Sequence, residues 1–361
     1  MGRIRIVEVK GTPYQMGYQH GQAYAEAIRL FAKERVQLSG SPTWTERSLS
    51  REEVLALGDT CVEEHRVYAP ELVQELQGMA DATGLSLSEL IILNGFTDFV
   101  DVVYNVSGKT PQSGTKQAAH NCTAFIVPDS ATEDGHGFCG QTWDMHATAT
   151  PHVILLRTCP VNGLASLMFT VTGCVGMIGM NEAGIAVCIN NLLGSDGQVG
   201  VTWPFVIRKI LSQTNIDDAL SCITSAKLAG AHNYLLFDKT GQGYNIEAMS
   251  TQYHFETLKA NSIAHTNHCF YPSTQAVEDK LPPGSQARSS ARLARTEELL
   301  ALPSVKLETL IDLTRDELIC VTSKSPRDTE TCGAVIMRPA TGDFWAVWGL
   351  PTENEYERFT I

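Results

Sequence analysis

From Arg3 to Val9 apolar and polar positions alternate, a period that predicts a short strand. Gly11-Thr12-Pro13 breaks the alternation, and Tyr14 to Val36 then repeats its apolar residues at helical spacing, with Thr12 or Pro13 placed to start a helix. The same spacing predicts a helix over Arg51 to Tyr68. Another begins at Pro70, a proline suited to a first turn, and Leu85 to Leu93 continues the pattern. The first hundred residues therefore read as mainly α. Between Val106 and Asn121 the text is SGKTPQSGTKQAAH, without periodicity and rich in Gly, Ser, Thr and Lys, which predicts an exposed, mobile loop.

After that loop the character turns to β. Thr123 to Val127 is an apolar, β-branched run, Asp129 to Gly137 is dense in turn formers, and Phe138 to Thr142 is extended again. A hairpin there would return Asp144 to the side of Cys122. Further strands are predicted over His152 to Arg157, Ala165 to Val171, Gly184 to Ile189, Tyr234 to Phe237 and Tyr244 to Ala248. Cys332 to Met337 and Phe344 to Trp348 make a late hairpin around PATGD. Pro204 to Ser212 and Ile216 to Leu228 read as inserted helices, and Gln286 to Leu302 as another. Helices, strands, helices and strands again imply an α+β chain with two sheets covered by helices.

Composition narrows the setting. Apolar residues make 43% and charged residues 19% of the chain, values of a globular protein. The formal charge of −13 argues against nucleic acid or an anionic membrane as a partner. No apolar run approaches the roughly 20 residues that span a bilayer, and MGRIRIVEVK lacks the apolar core of a secretory signal. The ten cysteines are scattered without a CxxC pair, so free thiols in a reducing cytoplasm are expected.

One of those thiols opens the central hairpin. A thiol reacts as thiolate, and a free cysteine has a pKa of about 8.5, so Cys122 needs a base. If the bond between Asn121 and Cys122 were cut, the freed α-amine, with a pKa of roughly 7.7–8.0, would supply one from the same residue. The bland alternative is a buried structural thiol. HTNH, residues 265 to 268, offers two histidines three apart; zinc needs three or four ligands, so no metal is expected.

Several stretches together resemble the acyl-coenzyme A:6-aminopenicillanic acid (isopenicillin N) acyltransferase family, the C45 peptidase branch of the N-terminal nucleophile hydrolases. They are GTPYQMGYQHG (Gly11 to Gly21), PELVQELQGMADATGLSLSELIILN (Pro70 to Asn94), NCTAF with GQTWD (Asn121 to Asp144), GMNEAGIAVCINN (Gly179 to Asn191), HNYLLFD (His232 to Asp238) and HTNHCFYP (His265 to Pro272). The resemblance implies a four-layer αββα sandwich of two mainly antiparallel sheets. It implies self-cleavage between Asn121 and Cys122 into an α chain, 1–121, and a catalytic β chain, 122–361, which together form one domain. Asn stands at the cleavage position where relatives often have Gly.

By the same resemblance Cys122 is the nucleophile, Asp144 orients its amine, Asn267 donates to the oxyanion, and Asn190, with Asn191 as the alternative, faces the site. His146, Trp143 and Tyr234 are candidates to line the pocket, with core packing the preferred reading for each aromatic. Arg327, or Lys324, would contact substrate. Gln141 matches the acyltransferase branch, whereas bile-salt hydrolases and penicillin V acylases typically carry Arg there. The expected activity is hydrolysis of a small N-acyl or aminoacyl amide through a thioester. Acyl transfer from an acyl-coenzyme A by the same acyl-enzyme and an uncut, non-catalytic binding protein are the alternatives. No cofactor is expected; the partners are a small amide substrate, the two halves of one precursor, and in addition a second copy in a homo-oligomer.

Overall fold

The computed structural model describes residues 2–106, 121–281, 283–323 and 329–361. Along the chain the strands are β1 (Arg5–Gly11), β2 (Thr123–Val127), β3 (Phe138–His146), β4 (Val153–Pro160), β5 (Ser166–Val171), β6 (Ile178–Asn181) and β7 (Ile185–Asn191). They continue as β8 (His232–Asp238), β9 (Gly243–Ala248), β10 (Tyr253–Thr257), β11 (Ile263–His265), β12 (Thr329–Arg338), β13 (Asp343–Trp348) and β14 (Glu357–Thr360). Eight form one sheet in the order β1-β4-β5-β6-β7-β8-β9-β10, and six form a second in the order β11-β2-β3-β12-β13-β14. All neighbours pair antiparallel except β1 and β4.

Strand alternation explains why the sheets stack. Along β2, Ala124 and Ile126 enter the core between the sheets, while Phe125 and Val127 enter a second core on the outer side. β12 repeats the device, with Val335 and Met337 inward and Ile336 outward. The outer core is completed by Leu300, Leu310 and Leu313 of the helices Pro283–Leu300 and Leu307–Arg315. Helices Pro13–Ser39, Trp203–Ile210 and Ile216–Thr224 pack on the eight-stranded sheet. The result is four layers, the αββα arrangement. Between the sheets the Cys139 and Cys188 sulfurs lie 3.1 Å apart, and Gln141 Oε1 accepts the Ile189 N–H at 2.6 Å.

The segment before the central loop is built into this sandwich. β1 is hydrogen-bonded to β4 in parallel register, from Arg5 opposite Ile154 to Gly11 opposite Pro160. Helix Pro13–Ser39 begins with a capping box, in which Thr12 Oγ1 accepts from Gln15 N–H and Gln15 Oε1 accepts from Thr12 N–H. It crosses helix Pro70–Thr83 at Gly17 and Gly78, where a Cβ on either glycine would collide with the other helix's backbone. Two of the resemblance-bearing stretches therefore meet as a packing contact.

Some elements differ from expectation. Helix Phe96–Val106 was not anticipated, although Phe96, Phe99, Val100 and Val103 recur at helical spacing; from Phe96 to Val103 even its polar residues Thr97, Asp98 and Asp101 are buried. β3 runs on past Thr142 to His146, and the helix from Ile216 stops at Thr224 rather than Leu228. The loop between Val106 and Asn121 lies outside the described residues, apart from its two ends. Among the described residues no helix is long and apolar enough to cross a membrane.

Candidate active site

Cys122 immediately precedes β2, and the register that sets Thr123 opposite Thr142 brings Asp144 to its side. The Asp144 N–H donates to Cys122 Sγ at 3.3 Å, and the thiol points back to Asp144 O at 3.7 Å. Both residues are buried. Loss of water pushes the thiol up to about 12, and the nearby Asp144 carboxylate adds to the shift. Burial also pushes the Asp144 carboxyl up to about 7 against the opposing pull of Arg292. A β-bulge between Thr331 and Gly333 of β12 lies opposite this corner. Thr331 donates its hydroxyl to Asp144 Oδ1 at 2.8 Å, whereas Oδ2 has no partner among the described residues.

Arg292, on helix Pro283–Leu300, closes the corner from the outer layer. One guanidinium nitrogen donates to Cys122 O at 2.6 Å and to Thr123 Oγ1 at 2.9 Å; another donates to Asn267 Oδ1 at 2.9 Å. Only 3% of the residue is exposed. Sequence reasoning missed it, although a signal existed. Ser289, Arg292 and Thr296 fall at helical spacing on one face, and all three are buried.

Asn267 is held on every side. Its N–H donates to Ser289 Oγ at 3.0 Å, and its amide nitrogen donates to Asn191 O at 2.9 Å. Its acceptor bond from Arg292 fixes the amide orientation. Asn190 precedes that carbonyl. Because Cys188 faces Cys139 across the sandwich, strand alternation turns Asn190 inward as well and Asn191 outward. Both polar atoms of the Asn190 side chain are buried and without a partner among the described residues.

The remaining candidates divide. Trp143 packs inward against Phe169 and lines a narrow cavity with Phe31, Arg35, Phe96 and Met177, which Cys122 itself does not line. His146 closes β3 with its ring 4.0 Å from Trp44 and Nδ1 3.3 Å from Arg35. Tyr234 is opposite Ile189 and so projects from the helix-covered face of the eight-stranded sheet, the face away from Asn190. The structure does not bring it to Cys122; the alternation along β8 decides this. Arg327 and Lys324 lie outside the described residues. The HTNH histidines are otherwise engaged: His265 Nε2 meets Glu247 at 3.0 Å, and His268 Nδ1 meets Ser289 Oγ at 2.8 Å. Among the described residues no three His, Cys, Asp or Glu side chains are grouped to hold a metal. A cleft bordered by Gly11, Met16, Glu75, Thr158 and Arg208 includes none of the site residues.

Comparison with known proteins places these observations. Residues 130–353 match the family model described as acyl-coenzyme A:6-aminopenicillanic acid acyl-transferase. The acyl-coenzyme A:6-aminopenicillanic-acid-acyltransferase 40 kDa form of Emericella nidulans is 26% identical over 303 residues, 82% of this chain and 77% of the relative. Among solved structures, a conjugated bile acid hydrolase variant from Clostridium perfringens aligns with 11% identity and a TM-score of 0.47, over 66% of this chain and 97% of that one. Penicillin V acylase from Agrobacterium tumefaciens aligns with 10% identity and a TM-score of 0.37, over 68% and 81% respectively.

Proposed function

The chain belongs to the acyl-coenzyme A:6-aminopenicillanic acid acyl-transferase family, and on that footing we propose that it is a self-processing cysteine amidohydrolase acting on a small N-acyl or aminoacyl amide. The observation that carries the reading is buried Cys122 at the head of β2, whose thiol accepts the Asp144 N–H and whose backbone carbonyl accepts from the Arg292 guanidinium. In maturation Cys122 Sγ attacks the carbonyl carbon of Asn121 and the Asn121–Cys122 C–N bond breaks, leaving a thioester and a free α-amine. Water then releases the Asn121 carboxylate and frees the thiol.

Burial and the neighbouring carboxylate hold that thiol neutral in the uncut chain, so turnover needs a base. The new α-amine takes the thiol proton as Sγ adds to the substrate carbonyl, and returns it to the leaving amine. The unpartnered Asp144 Oδ2 is the acceptor that would hold the resulting ammonium. Asn267 supplies an oxyanion donor after exchanging its bond to Asn191 O for one to substrate, with Arg292 keeping the amide oriented. Asn190 faces the same corner from β7, and Trp143 and His146 border the acyl side. Water hydrolyses the thioester and completes the cycle.

Acid quenching during turnover of an N-acyl amide tests this directly. The chain 122–361 should carry the mass of the acyl group in a hydroxylamine-labile bond. Amide hydrolysis that continues in Cys122→Ala would overturn the reading. The Emericella nidulans relative favours a second one, in which an amine rather than water takes the acyl group from an acyl-coenzyme A donor. Release of free thiol from an acyl-coenzyme A that rises with added amine would support it.

A further inference from the structure

A buried amide pair lies beside the Cys122 corner, and nothing in the proposed catalytic cycle fills it. Asn190 of β7 and Asn233 of β8 are paired directly across the sheet, and neither is exposed to solvent. None of their four side-chain polar atoms has a hydrogen-bond partner among the described residues. Alternation places both on the inner face, because Cys188 shares that face and touches Cys139 of the opposite sheet at 3.1 Å. Native interiors leave few such atoms unsatisfied. Two neighbouring amides with every atom open mark a place built for something to occupy.

The surroundings define what that is. Asn233 pairs on its other side with Glu247 of β9, whose carboxylate is already taken by His265 Nε2 at 3.0 Å, by the Phe270 N–H at 2.7 Å and by the Thr274 hydroxyl. Glu247 therefore leaves Asn233 unsatisfied and gives the neighbourhood an acidic flank, which disfavours a carboxylate ligand. The carbonyl of the next residue after Asn190 accepts from the Asn267 amide nitrogen, and Asn267 is bonded to the arginine that holds Cys122 O. A continuous path of hydrogen bonds thus joins the thiol's own backbone to the strand that carries the amide pair. Each asparagine offers an acceptor oxygen and a two-proton donor, the complement of a neutral group that also carries both.

We propose that Asn190 and Asn233 form a subsite for a second, neutral peptide-like amide of the substrate, so that the preferred substrates carry a carboxamide or peptide bond in addition to the scissile one. The assignment rests on the amidohydrolase reading and narrows its substrate class, with Asn233 as a specificity-determining residue that the resemblance did not supply. Sites built to hydrogen-bond a polar group reject analogues that lack it far more strongly than apolar pockets reject a missing methylene.

The test uses two matched substrate pairs. One sets an N-acylglycinamide against the corresponding N-acyl isobutylamine. The other moves the second carboxamide to the acyl side, setting a succinamoyl amide against its 4-methylpentanoyl isostere. The wild-type protein should favour the carboxamide member of at least one pair by roughly tenfold to a hundredfold in kcat/KM, and Asn233→Leu should collapse that ratio towards one. A wild-type ratio near one in both pairs overturns the proposal, meaning that buried water alone fills the space. So does a ratio that survives in Asn233→Leu. Should that variant not fold, Asn233→Ser provides the same comparison, and the wild-type ratios stand without either. The acyl adduct on chain 122–361, measured in the same samples, reports on Cys122 separately. Loss of the adduct would sink the amidohydrolase reading, whereas loss of the ratio with the adduct intact would sink only the subsite.

Discussion

Two buried arginines, each near a buried carboxylate, are used in opposite ways. Arg208 donates to Glu75 at 2.7 Å and to Thr158 at 3.0 Å, so the ion pair is closed and ties helix Trp203–Ile210 to helix Pro70–Thr83. Arg292 instead spends its donors on Cys122 O, Thr123 and Asn267, and leaves Asp144 Oδ2 without a bond. The first arrangement joins cation and carboxylate directly, and of its buried polar atoms only Arg208 Nε is without a partner among the described residues. The second keeps a cation, a carboxylate oxygen and a thiol near one another without letting them saturate, an arrangement that can change partners during a reaction. Burial alone therefore does not distinguish structure from chemistry; the difference is that Glu75 is bonded to its arginine, whereas Asp144 keeps a buried oxygen free of one.

The comparison can be broken experimentally, beginning with the closed pair. Glu75→Gln should strand Arg208 and destabilise the fold by about 3–5 kcal/mol in urea unfolding, with turnover per folded molecule retained. Replacing both partners, Glu75→Leu with Arg208→Met, should recover most of that loss. At the open corner the balance should reverse. Arg292→Met should cut kcat/KM on the order of a hundredfold to a thousandfold, and Arg292→Lys should not restore it, because an ammonium cannot reach Cys122 O and Asn267 through one planar fork. Asn267→Ala should lower kcat about a hundredfold with a smaller change in KM, the pattern of a donor used in the transition state.

The last effect is a slope. Burial raises the folded Asp144 carboxyl from an ordinary 3.8 to about 7. Between those values the unfolded chain has released a proton that the folded chain still holds, so this group's contribution is fully present below about pH 4 and declines as pH rises towards 7. In the uncut Cys122→Ala protein, urea midpoints should fall over that window more steeply than in Cys122→Ala with Asp144→Asn. Equal slopes would mean that Asp144 is not held as a buried, neutral carboxyl.

Local signals made much of the fold legible. TAFIV is β2 without adjustment, helix Arg51–Tyr68 has its expected bounds, and the turn formers after Asp129 fix the hairpin that carries Asp144 to Cys122. What stayed hidden was long-range or non-periodic. β1 finds β4 about 150 positions away, a pairing no local pattern encodes. Arg292 stands among Arg288 and Arg295 on one helix, and only the neighbouring Ser289 and Thr296 distinguish its face. Tyr234 shows the converse, since its place in a family-like stretch makes it a pocket candidate, while strand parity turns it to the other face, where it packs in the core.

Whether Cys122 becomes an N-terminal residue is read from the intact mass of the purified protein under denaturing conditions, with N-terminal sequencing of any fragment. Self-cleavage gives two chains, residues 1–121 and 122–361, with the larger beginning Cys-Thr-Ala-Phe, and leaves a single uncut chain in Cys122→Ala. A single 361-residue chain in the wild-type protein that nevertheless hydrolyses amides would contradict it, because the thiol would then be working without the amine that cleavage was meant to supply.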